Sequence, residues 1–230
     1  MAIDEQASAV RKVRGWRVWL ALLSAPASLA IAFGVVAALA RGTLGLEGEA
    51  LVAHLTAVAA VPTTLAFLAV LGLTWRLAGA DGWSLAALGW TKPPRRDVGL
   101  ALVAAPTLWL LHVFLVYPQL VKVQPAFDPS LRSQALGPLV MMLSAAIVAE
   151  DTLLRGYALR ALTQRHGVTA AVCVTSVAGA LVMPQPGWWL KLWALGLGLV
   201  LSLLRLASRS LWPVLVTHAA LAVGPRLSGL

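Results

Sequence analysis

Apolar runs long enough to cross a lipid bilayer constrain the fold of this chain more than any other feature. Its 230 residues are 60% hydrophobic and only 12% charged, and the mean hydropathy is +0.83. A transmembrane helix needs about 20 consecutive, mostly apolar residues, and a chain in lipid must satisfy its backbone hydrogen bonds internally. The sequence therefore predicts an all-α, polytopic transmembrane helix bundle and excludes an ordinary soluble domain.

Short polar connections divide the apolar sequence into about seven predicted membrane spans. We expect these spans at residues 16–40, 51–75, 99–117, 137–163, 168–183, 188–206 and 211–223. Residues 83–90 are predicted to be an interfacial segment with Trp anchors, followed by a basic loop at 92–96, and residues 118–136 are predicted to be a loop. The domain organisation predicted from this pattern is a cytoplasmic tail (1–15), two N-terminal helices with their connections (16–82), a membrane core (83–225) and a short tail (226–230).

The basic residues mark the ends of the apolar runs, which is typical of topology signals. With the N-terminus in the cytoplasm, 13 of the 18 Lys and Arg residues fall on the cytoplasmic side. We therefore expect a multi-pass protein of a cell membrane with a cytoplasmic N-terminus, and we expect no nucleic-acid partner despite the net charge of +9. The usage of Ala, Leu and Arg favours a bacterial source, and hence the inner membrane. The single Cys173 provides no disulfide framework.

Glu150 and Asp151 are the only two of nine acidic residues that lie within an apolar run. An ionisable side chain at the bilayer centre costs about 2.5–3.5 kcal/mol, so an adjacent pair needs a reason. In a regular α-helix, Asp151 and Arg155 stand at i and i+4 and can pair, whereas Glu150 points about 100° away and has no local partner. An ion pair that joins two helices accounts for Asp151 and Arg155. Glu150 is left as a candidate for catalysis or proton handling.

Two histidines in the predicted spans are candidates to join this acidic pair. His218 lies about 10 Å and Glu150 about 15 Å from the cytoplasmic edge, so the two can share a depth. A carboxylate and an imidazole that face each other can activate a water molecule and donate a proton; the alternative for His218 is a packed core histidine. His112 either reaches the same cavity or is a packing residue, which we favour. No His-Glu-x-x-His spacing is present, so we expect no metal and no other cofactor.

The order and spacing of these residues resemble the CPBP family of intramembrane glutamic proteases, the Abi-type group of CAAX prenyl proteases and bacteriocin-processing enzymes. The family carries Glu-Glu-x-x-x-Arg, then Phe-x-x-x-His, then His-x-x-x-Asn. Residues 150–155, Glu-Asp-Thr-Leu-Leu-Arg, are similar to the first motif with Asp for the second Glu, and residues 210–218 are similar to the approach to the third. The resemblance covers about residues 83–223, which implies a CPBP-like membrane core in the C-terminal two-thirds.

The resemblance implies an endopeptidase and a role for each matching residue. Glu150 is implied as the general base that activates water, Asp151 and Arg155 as supporting residues, and His218 as a group that stabilises the oxyanion. The implied partners are membrane lipid and a hydrophobic peptide or membrane-protein substrate. Bacteriocin, prenylated and C-terminal sorting-tail substrates are not distinguished, and the sequence makes no prediction of oligomeric state.

Two departures from the family motifs leave alternatives open. Pro184 stands where the second motif has His, and Ala222 stands where the third motif has Asn. Either His112 or Gln185 substitutes, or the chain is a catalytically degenerate relative that binds a hydrophobic peptide or a partner membrane protein. A third alternative is a proton-coupled transporter that uses Glu150, although the sequence shows no inverted repeat.

Overall fold

The computed structural model describes residues 14–116, 118, 136–182 and 187–227. All regular structure in these ranges is helical and no strand is present, which confirms the predicted all-α class. The elements are α1 (Gly15–Leu44), α2 (Gly48–Val58), α3 (Ala60–Ala80), a 3-10 turn (Ala86–Leu88), α4 (Arg95–Leu111) with a π-helical end (His112–Val116), α5 (Leu136–Asp151), a π-helical segment (Thr152–Ala158), α6 (Leu159–His166), α7 (Val168–Val182), α8 (Trp188–Ser208) and α9 (Trp212–Leu227).

Helix length and surface composition agree with a membrane bundle. Among the described residues, four helices are long and apolar enough to cross a bilayer, and Val168–Val182 and Trp212–Ala222 are shorter apolar helices. Large apolar side chains lie on the outside of the bundle, including Leu102, Phe114 and Leu181. Apolar surface of this extent is typical of contact with lipid rather than water. The four full-length candidates are Gly15–Leu44, Ala60–Ala80, Arg95–Val116 and Trp188–Ser208.

The second predicted span is wrong in its boundaries. In place of one helix over residues 51–75, the chain forms α2 and then α3, with Ala59 between them, and α3 continues to Ala80. Pro62 explains the division, because a proline lacks the N–H that would bond to Val58 and its ring clashes with the carbonyl four residues earlier. The predicted loop at residues 118–136 and the second-motif position Pro184 lie outside the described part of the chain, apart from 118 and the start of α5.

Helices α5 and α6 are joined without a break by the π-helical segment Thr152–Ala158. A π-helix bonds i to i+5 and is rare, occurring mostly as short bulges that are frequent at functional sites. Every residue of this segment is buried. It contacts α1, α3, α7 and α8 as well as the helices on either side of it, so it lies at the centre of the fold.

The segment predicted to be interfacial packs against this centre. Leu88 of the 3-10 turn is fully buried, and its carbonyl oxygen lies 3.0 Å from where a Cβ on Gly156 would be. Trp83 stacks at a tilt on Tyr157, with 5.4 Å between ring centroids. Gly156 therefore allows the turn to approach the π-helical segment closely, which a side chain at that position would prevent. The predicted basic loop is also shorter than expected, because α4 begins at Arg95.

Candidate functional site

The π-helical segment places one arginine against two carboxylates. Arg155 Nη1 lies 3.2 Å from Glu150 Oε1 and 3.2 Å from Asp151 Oδ1. The first contact is a hydrogen bond donated by the guanidinium, and the second is an ion pair without hydrogen-bond geometry. The Arg155 and Asp151 side chains are buried, so each charge depends on the other for compensation.

The sequence correctly predicts the Asp151–Arg155 pair but is wrong that Glu150 has no local partner. That prediction assumed α-helical geometry, in which residues five apart point in different directions. The helix widens from Thr152, and a wider turn brings residue i+5 over residue i. Arg155 therefore reaches both acidic side chains. The π-helical turn, which the sequence pattern did not reveal, is the local feature that assembles the cluster.

His218 of α9 completes the cluster from a different helix. Its Nδ1 lies 3.0 Å from Asp151 Oδ2, and its side chain is 13% exposed. The sequence-based expectation was that His218 would face Glu150. The imidazole instead pairs with Asp151. Asp151 is therefore bound on both sides, to Arg155 through Oδ1 and to His218 through Oδ2.

Glu150 differs from Asp151 in its access to the space outside the protein. The side chain of Glu150 is 25% exposed, whereas that of Asp151 is 0% exposed. On α7, Gly179 faces this carboxylate: a Cβ added there would lie 3.2 Å from Leu154 Cδ1 and 3.6 Å from Glu150 Oε1. Gly179 thus allows α7 to pack closely against Leu154 and Glu150, and a larger side chain at this position would crowd the carboxylate.

His112 is placed against α8 and makes no described contact with the cluster. Its ring lies 5.8 Å from that of Trp193, centroid to centroid, at an interplanar angle of 55°. Among the described residues, no hydrogen bond or ion pair joins it to the acidic pair or to His218, and its Nδ1 is buried without a partner. The geometry thus agrees with the packing interpretation of His112. Its catalytic role as a substitute remains a prediction.

Ala222, at the third-motif position, lies within apolar packing. Ala222 of α9 packs against the cluster formed by Ile147, Leu211 and Leu215. The side chain of alanine has no hydrogen-bond donor for a substrate carbonyl. Among the described residues, the side chains of His218 and Arg155 are the donors at this site. No group of three or more His, Cys, Asp and Glu side chains within the described ranges is arranged to hold a metal ion.

A second buried acid, one of the seven that the sequence places outside the apolar runs, lies at the other end of the π-helical segment. Asp81 is buried, forms an ion pair with Arg17 of α1, and accepts a hydrogen bond of 2.8 Å from Tyr157 Oη. Asp97, another of these seven acids, is also buried, in the first turn of α4. Local sequence could not reveal the Asp81 contacts, because its partners stand 64 and 76 residues away along the chain.

The sequence that forms this site matches a known protein family. A family model described as type II CAAX prenyl endopeptidase Rce1-like matches residues 132–223. The predicted resemblance to the CPBP family is thereby confirmed over this segment, which includes the acidic pair, Arg155 and His218. A membrane-embedded endopeptidase of the CPBP type is the activity that this match supports. Comparisons with curated proteins and with solved structures found no match.

Proposed function

We propose that this Rce1-like chain is a membrane-embedded endopeptidase that hydrolyses a peptide bond with a water molecule activated by Glu150. The substrate class that fits the site is a hydrophobic peptide or the tail of a membrane-associated protein, cleaved near the cytoplasmic face. The asymmetry between the two adjacent carboxylates is the observation that carries the proposal. Asp151 is enclosed and bound on both sides, while the side chain of Glu150 is held by Arg155 and remains partly exposed.

Glu150 supplies the base. A general base must lie within hydrogen-bond reach of the proton that it removes, and such a base contributes about 100- to 10,000-fold to the rate. One oxygen of Glu150 is held by Arg155, which fixes the carboxylate, and the side chain is open enough for water to reach it. Glu150 takes a proton from that water as the water oxygen bonds to the scissile carbonyl carbon, and the carbonyl electron pair moves onto its oxygen.

His218 is the donor for the resulting oxyanion. Its Nδ1 faces Asp151 Oδ2 at 3.0 Å, so the carboxylate favours a proton on that nitrogen and orients the ring. When Nε2 is also protonated, the imidazolium presents an N–H that can donate to the oxyanion. Donors aimed at a developing negative charge contribute about 2.7–4 kcal/mol each in acyl transfer. Asp151 acts through His218 and is a positioning residue.

Glu150 completes the proton transfers while Arg155 holds its carboxylate. The tetrahedral intermediate collapses when its C–N bond breaks, and the leaving amine takes the proton that Glu150 removed from water. Glu150 returns to its carboxylate form, in which it again pairs with Arg155. The products are a new carboxyl group and a new amine, and no metal or cofactor is required for the balance.

Cleavage of membrane-tethered peptides by the purified full chain in liposomes tests the proposal. We expect the wild type to cleave, and Glu150→Ala and His218→Ala each to lose activity while remaining folded. Arg76→Ala is a matched control, because Arg76 is exposed and far along the sequence from the cluster. Cleavage that survives Glu150→Ala at the wild-type rate would contradict the assignment of the base.

A non-catalytic peptide-binding protein is a second candidate, favoured by the Pro184 and Ala222 departures. Ala222 lies within apolar packing, and no donor replaces the family's Asn at that position. A folded wild type that binds the tethered peptides with the cluster intact but releases no product would favour this candidate. A proton-coupled transporter requires uptake that disappears with Glu150→Gln, and no specific observation favours it.

A further inference from the structure

A short polar contact ties the segment before α4 to the segment before α9. Leu211 donates its backbone N–H to the Gly89 carbonyl at 2.8 Å, and Ser210 Oγ donates to the Thr91 carbonyl at 3.1 Å. Gly89 adopts φ +97, and the Arg205 guanidinium lies where a Cβ at this position would be, so glycine is required here. These bonds bring the first turns of α4 and α9 to the same end of the bundle.

Besides Arg205, four exposed cations stand next to this contact along the chain. Lys92 directly follows the bonded Thr91, Arg209 directly precedes the bonded Ser210, and Arg95 and Arg96 open α4. All four are exposed, and none forms an ion pair with another described residue. The acid closest to them in sequence is Asp97, which is buried. The N-terminal ends of α4 and α9, which carry partial positive charge, lie here as well.

An apolar groove starts at this group of cations. It has a volume of about 200 Å³, runs between α4 and α9, and lies on the bundle surface. The groove is smaller than a typical small-molecule pocket, for which about 300–1,000 Å³ is usual, and its apolar lining suits a segment of one hydrocarbon chain. The residues along its two sides include Pro93, Val98 and Leu102 from the α4 side and Trp212, Pro213 and Val216 from the α9 side.

We propose that this groove and the cations Lys92, Arg95, Arg96 and Arg209 form a binding site for an anionic phospholipid. The phosphate binds among the four cations at the membrane interface, and one acyl chain lies along the groove between α4 and α9. Basic sites between transmembrane helices are a general mode of headgroup recognition. The combination of charge and groove selects a lipid over a soluble anion, because a free phosphate uses only the charged part.

The site is distinct from the acidic cluster. The groove uses Val216, and His218 stands two residues later on α9, which turns it about 200° around the helix axis. A lipid held here braces α9 against α4 without entering the space beside Glu150. The inference therefore does not depend on the proposed peptidase activity, and it is tested by binding alone.

Thermal stability and native mass spectrometry of the purified full chain in detergent test the site. The probes are phosphatidylglycerol, phosphatidylcholine with the same acyl chains, and inorganic phosphate. We expect phosphatidylglycerol to raise the unfolding temperature and to remain bound, phosphatidylcholine to bind about 100-fold more weakly, and inorganic phosphate at equal concentration to have no effect. Each cation near an anionic headgroup contributes about fivefold in affinity, so three fully effective cations give about 100-fold.

Three variants separate the contributions. Arg95→Gln/Arg96→Gln/Arg209→Asn removes three cations, and asparagine suits the left-handed backbone of residue 209 (φ 56). We expect it to bind phosphatidylglycerol no better than phosphatidylcholine. Val98→Trp fills the groove at an exposed position and should weaken both lipids. The control Arg14→Gln/Arg76→Gln removes exposed cations elsewhere and should keep wild-type selectivity.

Three outcomes would overturn the proposal. Equal binding of both lipids by the wild type would show that the cations select nothing. An equal loss of selectivity in the control would show that net charge, and not this site, attracts the lipid. Displacement of bound phosphatidylglycerol by a hydrophobic peptide, with the loss of displacement in Val98→Trp, would assign the groove to a peptide. Unfolding temperatures measured without lipid establish that each variant is folded before these comparisons are made.

Discussion

Two buried acid–arginine clusters lie at opposite ends of the same π-helical segment, and they differ in how completely their carboxylates are enclosed. At Asp81, the carboxylate is buried and both of its oxygens are used, by Arg17 and by Tyr157. At the other cluster, Arg155 holds two carboxylates, of which Asp151 is enclosed and Glu150 is 25% exposed. The Asp81 cluster is closed and suited to holding helices together. In the Glu150 cluster, the partly exposed carboxylate of Glu150 can be reached by water, so hydrolytic chemistry is feasible there.

The two clusters also differ in the helices that they connect. Arg17, Asp81 and Tyr157 connect α1, the end of α3 and the π-helical segment, so they hold helices outside the matched family segment against its centre. Asp151 and His218 connect the end of α5 to α9. We therefore expect changes at Asp81 to lower stability but not the activity of folded molecules, and changes at the Glu150 cluster to lower activity whether or not they also lower stability.

Arg155→Met should have the largest effect, because it removes the cation shared by both carboxylates. Breaking a buried ion pair by removing one partner costs about 3–5 kcal/mol, since a buried charge is left uncompensated. We expect a fall of that order in the free energy of unfolding, measured by denaturant titration in detergent, together with complete loss of cleavage. Arg76→Met, at an exposed position, should change stability by less than about 0.5 kcal/mol. An Arg155→Met variant as stable as the control would contradict the paired arrangement.

Asp151→Asn should leave the protein folded and reduce cleavage by at least about 100-fold. An aspartate that orients a catalytic histidine fixes its tautomer, and the amide cannot hold the ring in the same state. The nuclear magnetic resonance signals of the His218 ring nitrogens should change in the variant, which a purely structural role for Asp151 would not require. Near-normal cleavage with an altered ring signal would remove His218 from the mechanism.

Asp81→Ala should lower the free energy of unfolding by about 2–3 kcal/mol and leave the activity per folded molecule within about twofold of wild type. The change leaves the buried Tyr157 hydroxyl without an acceptor, and the partly exposed Arg17 can turn toward water. Tyr157→Phe removes only the hydrogen bond and should cost about 1 kcal/mol. If Asp81→Ala abolished cleavage by well-folded protein, the distinction between the two clusters would fail.

Gly179→Ala should have the smallest effect, with cleavage reduced by less than about tenfold. The added Cβ lies 3.2 Å from Leu154, which must move, and 3.6 Å from Glu150 Oε1. Alanine also favours the helix by about 1 kcal/mol over glycine, so stability should change little. Gly72→Ala, where no atom lies within 4 Å of the new Cβ, is the matched control and should leave cleavage unchanged. A larger side chain at residue 179 should reduce cleavage further, and equal activity for alanine and leucine there would show that packing at this position does not affect Glu150.

The fold class and the local acidic motif could be predicted because both depend on spacing along the chain. Helix α7 covers residues 168–182 against a predicted span of 168–183, and the Asp151–Arg155 pair follows from the i,i+4 rule. Even the break before α3 had a visible cause in Pro62, whose effect on the helix is local.

The contacts that were missed depend on geometry that spacing does not encode. The Glu150–Arg155 bond requires a π-helical turn, which tertiary packing stabilises and for which the residues carry no simple pattern. The choice of Asp151 over Glu150 as the partner of His218 depends on how α9 is rotated, across 67 residues of sequence. The burial of Asp81 depends on helices α1 and α3 meeting the π-helical segment, which only the folded chain establishes.

Cleavage by Glu150→Gln beside Asp81→Asn, each normalised to the amount of folded protein, tests the central claim most directly. Both variants replace a carboxylate by an amide of the same shape, one in the open cluster and one in the closed cluster. We predict that Glu150→Gln loses at least about 100-fold in rate because it lacks the base, and that Asp81→Asn, although less stable, cleaves at the wild-type rate per folded molecule. Equal rates for the two variants would contradict the claim that the exposed carboxylate performs the chemistry.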